Sequence, residues 1–179
     1  MRPILFFFPN ENEDIIGVIK TYRYRISKYD PQYRDEKGIY CREDWTSYCD
    51  IGKLYDGKIF SKDDYIKTET HYCDTILDIL INNEVKEVFL QSLEFNFSVD
   101  EIKQMLQQKG LDLSIKEETA INLLKNGNRI DIHDLQLYIK LILRECFWCK
   151  FVDINSLIQI EFGYDYYIYF SGKNVLSKK

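Results

Sequence analysis

Two histidines are the side chains of this sequence best suited to proton transfer near neutral pH. An imidazole pair such as His71 and His133 could act as general acid and general base, the arrangement that ribonucleases use. His71 falls within a predicted helix, and His133 lies beside Asp134 near a predicted helix start, where exposed or structural histidines are the ordinary finding. A small hydrolase or nuclease that uses His71 or His133 is therefore an alternative hypothesis for function.

The motif Cys146-Phe147-Trp148-Cys149 has the spacing of a thioredoxin-like redox pair. That chemistry needs the first thiol near a helix N-terminus, where the dipole lowers its pKa, whereas Cys146 falls at the C-terminal end of a predicted helix. The five cysteines are an odd number, which does not suit a disulfide framework. Further zinc ligands are available only at positions without a recognisable spacing: Cys41, Cys49, His71 and His133. We therefore predict reduced, packed thiols and no metal or other cofactor.

The segment from Tyr22 to Gly52 is denser in tyrosine, arginine and carboxylate side chains than a hydrophobic core requires. Its acidic residues could hold a metal if their carboxylates converged, but their irregular spacing and the arginines between them favour ion pairs or a solvated face. Tyrosine and tryptophan supply large, rigid contact areas, which is why they anchor protein interfaces. The functional alternative is a partner-binding surface, for which we expect these residues: Tyr29, Asp30, Tyr33, Asp35, Glu36, Glu43, Asp44, Trp45 and Asp50.

Charge and composition narrow the class of partner. The 29 acidic and 24 basic residues give a net charge of −5, which argues against direct binding to nucleic acid. No apolar run is long enough to span a membrane, and the N-terminal segment is too short and too weakly flanked for a signal peptide. The sequence contains no glycine-rich phosphate loop, G-x-S-x-G elbow or H-E-x-x-H pair. We expect a cytoplasmic protein that binds a basic partner and is not an enzyme.

The elements that must position these side chains begin with two predicted strands. Pro3 to Phe8 is a short apolar run between turn-forming residues, and Thr21 to Tyr29 alternates between tyrosine or isoleucine and arginine. Ser61 then resembles an N-cap with an acidic residue three positions later, so a helix should follow it. The buried stripe of that helix is expected to contain Tyr65, Ile66, Tyr72, Cys73, Ile76, Leu77 and Leu80.

A strand is predicted from Val85 to Phe95, followed by three further helices. Capping boxes mark two helix starts: Ser98 with Glu101, and Ser114 with Glu117. The last helix is predicted to be capped by Asp131. Its buried stripe is expected to contain Leu135, Ile139, Ile142, Leu143 and Cys146.

The C-terminal part contains three β-rich runs separated by short turns. The runs span Phe147 to Ile154, Leu157 to Phe162 and Tyr166 to Phe170, a pattern typical of an antiparallel meander. No repeat or linker divides the 179 residues, a length that fits one domain. The sequence therefore predicts a single α+β domain over residues 1–179, in which an antiparallel sheet with a C-terminal β-meander packs against about four helices.

Several blocks of this chain resemble a widespread family of small, uncharacterised bacterial proteins. They are Y-R-I-S-K-Y-D-P-x-Y-R-D-E-x-G-x-Y, D-W-T-S-Y-C-D-I-G at Asp44 to Gly52, F-W-C at Phe147 to Cys149, and F-G-Y-D-Y-Y-I-Y at Phe162 to Tyr169. The resemblance implies a shared fold. In general character, as a small, acidic protein of one domain, the chain is also similar to the immunity proteins of bacterial toxin systems such as contact-dependent growth inhibition.

The leading hypothesis is an immunity-like binding protein that neutralises a cognate toxin domain, such as a nuclease, by occluding its active site. Carboxylates would steer a basic partner and raise the association rate, while tyrosine and tryptophan would hold it. A homo-oligomeric structural protein, whose tyrosine-rich sheet pairs with itself, is a further alternative.

Overall fold

A computed structural model describes residues 15–16, 19–20, 22–153, 155 and 158–172 of the chain. Within these ranges the chain folds as an α+β domain with four α-helices and a six-stranded antiparallel sheet, which confirms the predicted fold class. The predicted strand from Pro3 to Phe8 lies outside the described residues. No helix of the described ranges is both long and apolar enough to cross a membrane.

Ten strands are present in the described residues. They are β1 (Ile15–Ile16), β2 (Ile19–Lys20), β3 (Tyr22–Ile26), β4 (Leu54–Tyr55), β5 (Lys58–Ile59), β6 (Glu87–Glu94), β7 (Arg129–Asp131), β8 (Trp148–Asp153), β9 (Ile158–Phe162) and β10 (Ile168–Gly172). The large sheet has the order β3-β10-β9-β8-β6-β7, and the pairs β1-β2 and β4-β5 form separate hairpins. Strands β8, β9 and β10 are the predicted C-terminal meander.

The meander buries one face of the sheet. Successive residues of β8, β9 and β10 alternate between partly exposed and buried positions, as expected for strands with one face on a core. Phe151, Ile160 and Phe170 are fully buried and belong to the same hydrophobic core as the inward-facing residues of the helices. This core fixes the register of the meander, because a shift by one residue would turn its apolar side chains to the other face.

The helices are α1 (Lys62–Asn82), α2 (Val99–Gln108), α3 (Ile115–Leu123) and α4 (Leu135–Leu143). Ser61 caps α1, and both predicted capping boxes are present, at Ser98 with Glu101 and at Ser114 with Glu117. Each box satisfies helix-terminal N–H groups that lack an intrahelical partner. Three of the four predicted helix starts are thereby confirmed.

The fourth helix start was predicted wrongly. Asp131 is the last residue of β7, a three-residue strand that sequence analysis missed, and its carboxylate accepts a hydrogen bond from the His133 backbone. The helix itself begins at Leu135, after Asp134. Two smaller predictions were also wrong. Ile66 was expected in the buried stripe of α1 but is 37% exposed. The strand predicted to reach Tyr29 ends at Ile26.

Candidate functional site

A cleft of about 550 Å³ lies where the meander meets the C-terminal end of α4. Four segments line it: Thr46–Ser47, the end of β6 with the residues after it, the connection from α4 to β8, and the connection from β9 to β10. Volumes of this order are typical of sites for small molecules or protruding side chains. The cleft is therefore the candidate functional site.

Every charged side chain among the described residues that line the cleft is a carboxylate. The three are Glu94, Glu145 and Asp165, one from each of three distant segments. Desolvation raises the pKa of the Glu145 carboxyl, and the negative charges of Asp50 and Asp165 raise it further. A hydrogen bond with Ser47 lowers this pKa but does not outweigh them. The cleft thus concentrates negative charge and favours a cationic ligand.

Helix α4 ends at this cleft. Its last residues, Ile142 and Leu143, line the cavity, and Glu145 follows in a left-handed backbone conformation with a φ of 56°. The C-terminal end of a helix carries a partial negative charge from its terminal carbonyl groups. This charge has the same sign as that of the three carboxylates, so the backbone and the side chains favour the same kind of ligand.

The connection from β9 to β10 has a backbone that few residues tolerate. Asp165 and Tyr166 both have positive φ, at 56° and 61°, which costs of order 1–3 kcal/mol for a residue other than glycine. At Gly163 an added Cβ would lie 2.9 Å from the Tyr169 ring and 3.2 Å from the Tyr167 carbonyl oxygen, so a larger residue would force this connection or the ring to shift. A bulky residue such as Tyr166 holds this conformation only where packing enforces it.

The side chains packed around Tyr166 hold its backbone in this conformation. Tyr166 is only 6% exposed, and its ring makes edge-to-face contacts with Trp45, Tyr65 and Tyr72, with centroids 5.0 to 6.4 Å apart. The Tyr72 hydroxyl donates a hydrogen bond to the Tyr166 carbonyl at 3.0 Å. The aromatic cluster therefore fixes the connection that carries Asp165.

Exposed aromatic side chains flank the carboxylates. Tyr164 is 93% exposed and Phe97 is 45% exposed, and both line the cleft with the half-buried Trp148. The Trp148 indole N–H already donates a hydrogen bond to the Phe162 carbonyl. A ligand could therefore contact the Trp148 ring but could not accept a hydrogen bond from its N–H group. Large exposed rings beside carboxylates are suited to contact with a partner protein.

Glu94 reaches the cleft because β6 is irregular. The pairing of β6 with β8 shifts between Gln91 and Glu94, and Ser92 within this bulge has a φ of 54°. Bulges of this kind redirect side chains and are common beside functional sites. Glu94 then pairs with Trp148, which places a carboxylate and an aromatic ring on neighbouring strands at the cleft.

Of the nine residues predicted from the sequence to form a binding surface, some lie in the interior of the protein and others at its surface. Tyr29 and Asp50 are buried, at 5% and 6% exposure, and Trp45 is half-buried and stacks on Phe60 with a centroid distance of 4.3 Å. Asp50 caps the short 3₁₀ helix Tyr48–Asp50 and accepts hydrogen bonds from Thr46. These three residues contribute to the fold.

Lys28 contacts three of the predicted residues. Its ammonium lies 4.0 Å from the Tyr29 ring centroid, 4.2 Å from that of Trp45 and 3.0 Å from a carboxylate oxygen of Asp44. The Lys28 side chain is only 7% exposed. Burial lowers the pKa of Lys28 to about 8, against the opposing effect of Asp44, Asp165 and Asp50. Asp44 is thus already paired with a cation of its own chain.

The remaining predicted residues lie at the surface. Tyr33, Asp35, Glu36 and Glu43 are exposed, and Asp30 is partly exposed. Asp30 and Asp35 accept hydrogen bonds from nearby backbone N–H groups and so stabilise their turns. None of the nine predicted residues lines the cleft. Whether the exposed ones bind a partner stays a prediction.

The candidate catalytic residues are not brought together. His71 is half-buried on α1, His133 is exposed in the turn between β7 and α4, and neither lines the cleft. Cys146 and Cys149 are buried, and burial raises the pKa of the Cys146 thiol to about 12, which leaves it a poor nucleophile. Among the described residues, no three histidine, cysteine or carboxylate side chains converge as a metal site.

Comparison with protein-family models, curated proteins and solved structures finds no match to this chain.

Proposed function

We propose that this protein is a cytoplasmic, immunity-like binding protein that neutralises a cognate bacterial toxin domain without catalysis. The observation that carries the proposal is the acidic cleft, whose charged side chains among the described residues are Glu94, Glu145 and Asp165. A toxin that cleaves nucleic acid needs a basic surface to hold its substrate. An acidic cleft complements such a surface and would occlude it.

Charge in the cleft would act on both steps of binding. Before contact, the negative field would steer a basic partner and raise the association rate. After contact, Tyr164, Phe97 and Trp148 would supply the apolar anchoring area, because interface energy is concentrated in a few large side chains. The rigid packing of Tyr166 would keep the cleft in one conformation and reduce the entropy lost on binding.

The first experiment is an affinity capture of the tagged protein from its native host at moderate salt, with mass spectrometry of the recovered proteins. We expect one stoichiometric basic partner, encoded beside this gene, whose toxicity is relieved by co-expression of this protein. Capture of no partner, or a monomeric protein that fails to relieve toxicity, would contradict the proposal.

Charge reversal then tests the cleft itself. Glu145→Lys combined with Asp165→Lys should weaken partner affinity by on the order of 100-fold and flatten its dependence on salt, because attraction becomes repulsion. Asp78→Lys is the matched control, since Asp78 is exposed on α1 and does not line the cleft. Glu36→Lys combined with Glu43→Lys tests the sequence-predicted surface in the same assay. If only the Glu36→Lys and Glu43→Lys variant loses affinity, the interface lies on the sequence-predicted surface and not at the cleft.

A further inference from the structure

We infer that the cleft receives an arginine side chain of the partner, with the carboxylates of Glu145 and Asp165 and the rings of Trp148 and Tyr164 as its receptor. This inference rests on the proposed function and specifies the chemistry of that same site. Three features of the cleft support it: the arrangement of its carboxylates, its aromatic lining and its size.

The carboxylates are dispersed around the cavity. They come from three segments and do not converge as a group that could hold a metal ion within the described residues. A divalent cation needs several oxygen ligands at short distances, and an ammonium concentrates its charge at one point. A guanidinium is planar and carries five N–H donors, so it can bond acceptors that lie on different sides. Dispersed carboxylates therefore favour arginine.

The aromatic lining favours the same ligand. Guanidinium groups stack on aromatic faces and are more weakly hydrated than ammonium groups. Among the described residues, three arginines already make such contacts with tyrosine rings: Arg42 lies 4.3 Å from the Tyr33 ring centroid, Arg25 lies 4.8 Å from that of Tyr167, and Arg34 lies 5.7 Å from that of Tyr40. In the cleft, Trp148 and Tyr164 offer rings of the same kind beside carboxylates.

The cavity is large enough for this ligand. About 550 Å³ accommodates one long side chain together with the backbone that carries it. Two lysines near the cleft are paired with other carboxylates and do not line it. Lys150 lies 5.7 Å from the Trp148 ring centroid and pairs with Glu161 at 3.4 Å, and Lys28, on which the charge of Asp165 acts, pairs with Asp44 at 3.0 Å. Among the described residues no positively charged side chain lines the cleft, so its carboxylates can receive a cation from a partner.

The two tryptophans allow a direct test by nuclear magnetic resonance. The Trp148 indole reports on the cleft, whereas the Trp45 indole lies in the aromatic cluster and serves as an internal control. The probes are N-acetyl-arginine methylamide, N-acetyl-lysine methylamide and magnesium chloride, each titrated into the full chain, with Trp148→Phe to assign the signal. We expect the arginine probe to shift the Trp148 indole signal selectively and the lysine probe to bind about fivefold more weakly.

Glu145→Gln combined with Asp165→Asn keeps the side-chain shapes and should abolish the shift. The inference is overturned if the two amino-acid probes bind equally, if only magnesium binds, or if no probe moves the Trp148 signal. The proposed function fails separately. If the Glu145→Lys and Asp165→Lys protein still holds its partner, the function assigned to the cleft is wrong whatever the probes do. If that variant loses the partner but the probes show no preference, only the arginine inference is wrong.

Discussion

The hydroxyl of Tyr166 donates a hydrogen bond to the carbonyl of Leu143 at 3.3 Å. The hydroxyl of Tyr65 donates to the same carbonyl at 3.2 Å. The neighbouring carbonyls of Lys140, Leu141 and Ile142 accept backbone N–H groups at this helix end, so Leu143 relies on the two phenols. Helix α1, the end of α4 and the connection before β10 are thereby joined directly beneath the cleft.

The shared carbonyl makes the two hydroxyls energetically coupled. Tyr65→Phe or Tyr166→Phe alone should lower the free energy of unfolding by about 1 kcal/mol, because one donor remains. The double variant should cost more than the sum, by about 1 kcal/mol, because it leaves a buried carbonyl without a partner. Denaturant unfolding of the four proteins measures this coupling. Strictly additive losses would show that the two hydrogen bonds are independent.

A buried ion pair holds α1 against α4. The Arg144 guanidinium donates to both carboxylate oxygens of Glu69, at 2.7 and 2.9 Å, and both side chains are nearly inaccessible. Glu69→Ala should lower the free energy of unfolding by about 3–5 kcal/mol, because it leaves a buried guanidinium unpaired. Glu69→Leu combined with Arg144→Met should cost much less, since it removes both charges.

Glu118 provides the control for this ion pair. It pairs with Lys103 at 2.5 Å near the surface, where solvent screens the interaction. Glu118→Ala should therefore change the unfolding midpoint little. If Glu69→Ala were equally harmless, the buried pair would contribute nothing specific to the packing of α1 on α4.

Local sequence signals predicted most of the fold. Ser98 and Glu101 lie three residues apart, and their reciprocal hydrogen bonds depend only on that spacing, so the capping box was visible in the sequence. The alternation of β8, β9 and β10 was equally local. β7 was missed because three residues carry too little periodicity to identify a strand, and because aspartate is favoured at helix N-caps and depleted in strands, so Asp131 indicated a cap.

The candidate site could not be predicted in the same way. Glu94, Glu145 and Asp165 become neighbours only through the strand order and the path of α4, which a single sequence does not specify. The density of tyrosine and acid before Gly52 was a real signal, but part of it reflects the interior, where Tyr29 and Asp50 are buried. Residue type alone does not separate a ring that anchors a partner from one that fills a core.

Asp50 makes the fold sensitive to acid. Burial alone would raise its pKa, but hydrogen bonds from Lys53 and Thr46 outweigh burial and lower the pKa to about 2. A lowered pKa in the folded state gives stability that is present above pH 4 and is lost as pH falls towards 2. Asp50→Asn should remove about 2 kcal/mol at pH 7 and flatten the loss between pH 4 and pH 2. Unfolding curves at each pH test this. If Asp50→Asn still loses stability steeply between pH 4 and pH 2, other carboxylates cause the acid sensitivity.

Lys28 should make stability rise with pH in the alkaline range, in the same direction as Asp50 does in the acid range. Its folded-state pKa of about 8 is below the ordinary value of 10.5, so the folded protein releases this proton before the unfolded chain does. Between these values the unfolded state binds more protons, and stability from this group rises with pH. The cost of the buried ammonium, present below pH 8, amounts to about 3 kcal/mol and is relieved as pH approaches 10.5.

Lys28→Met removes this titration while it keeps much of the side-chain volume between Tyr29 and Trp45. From pH 8 to pH 10, the unmodified protein should gain about 2 kcal/mol relative to this variant, measured as the difference between their free energies of unfolding. Taking the difference cancels the tyrosine and cysteine titrations that both proteins share. Lys67→Met, an exposed position on α1, is the control and should show no such divergence. Parallel curves for the unmodified protein and Lys28→Met would mean that the Asp44 carboxylate compensates fully for the burial of Lys28.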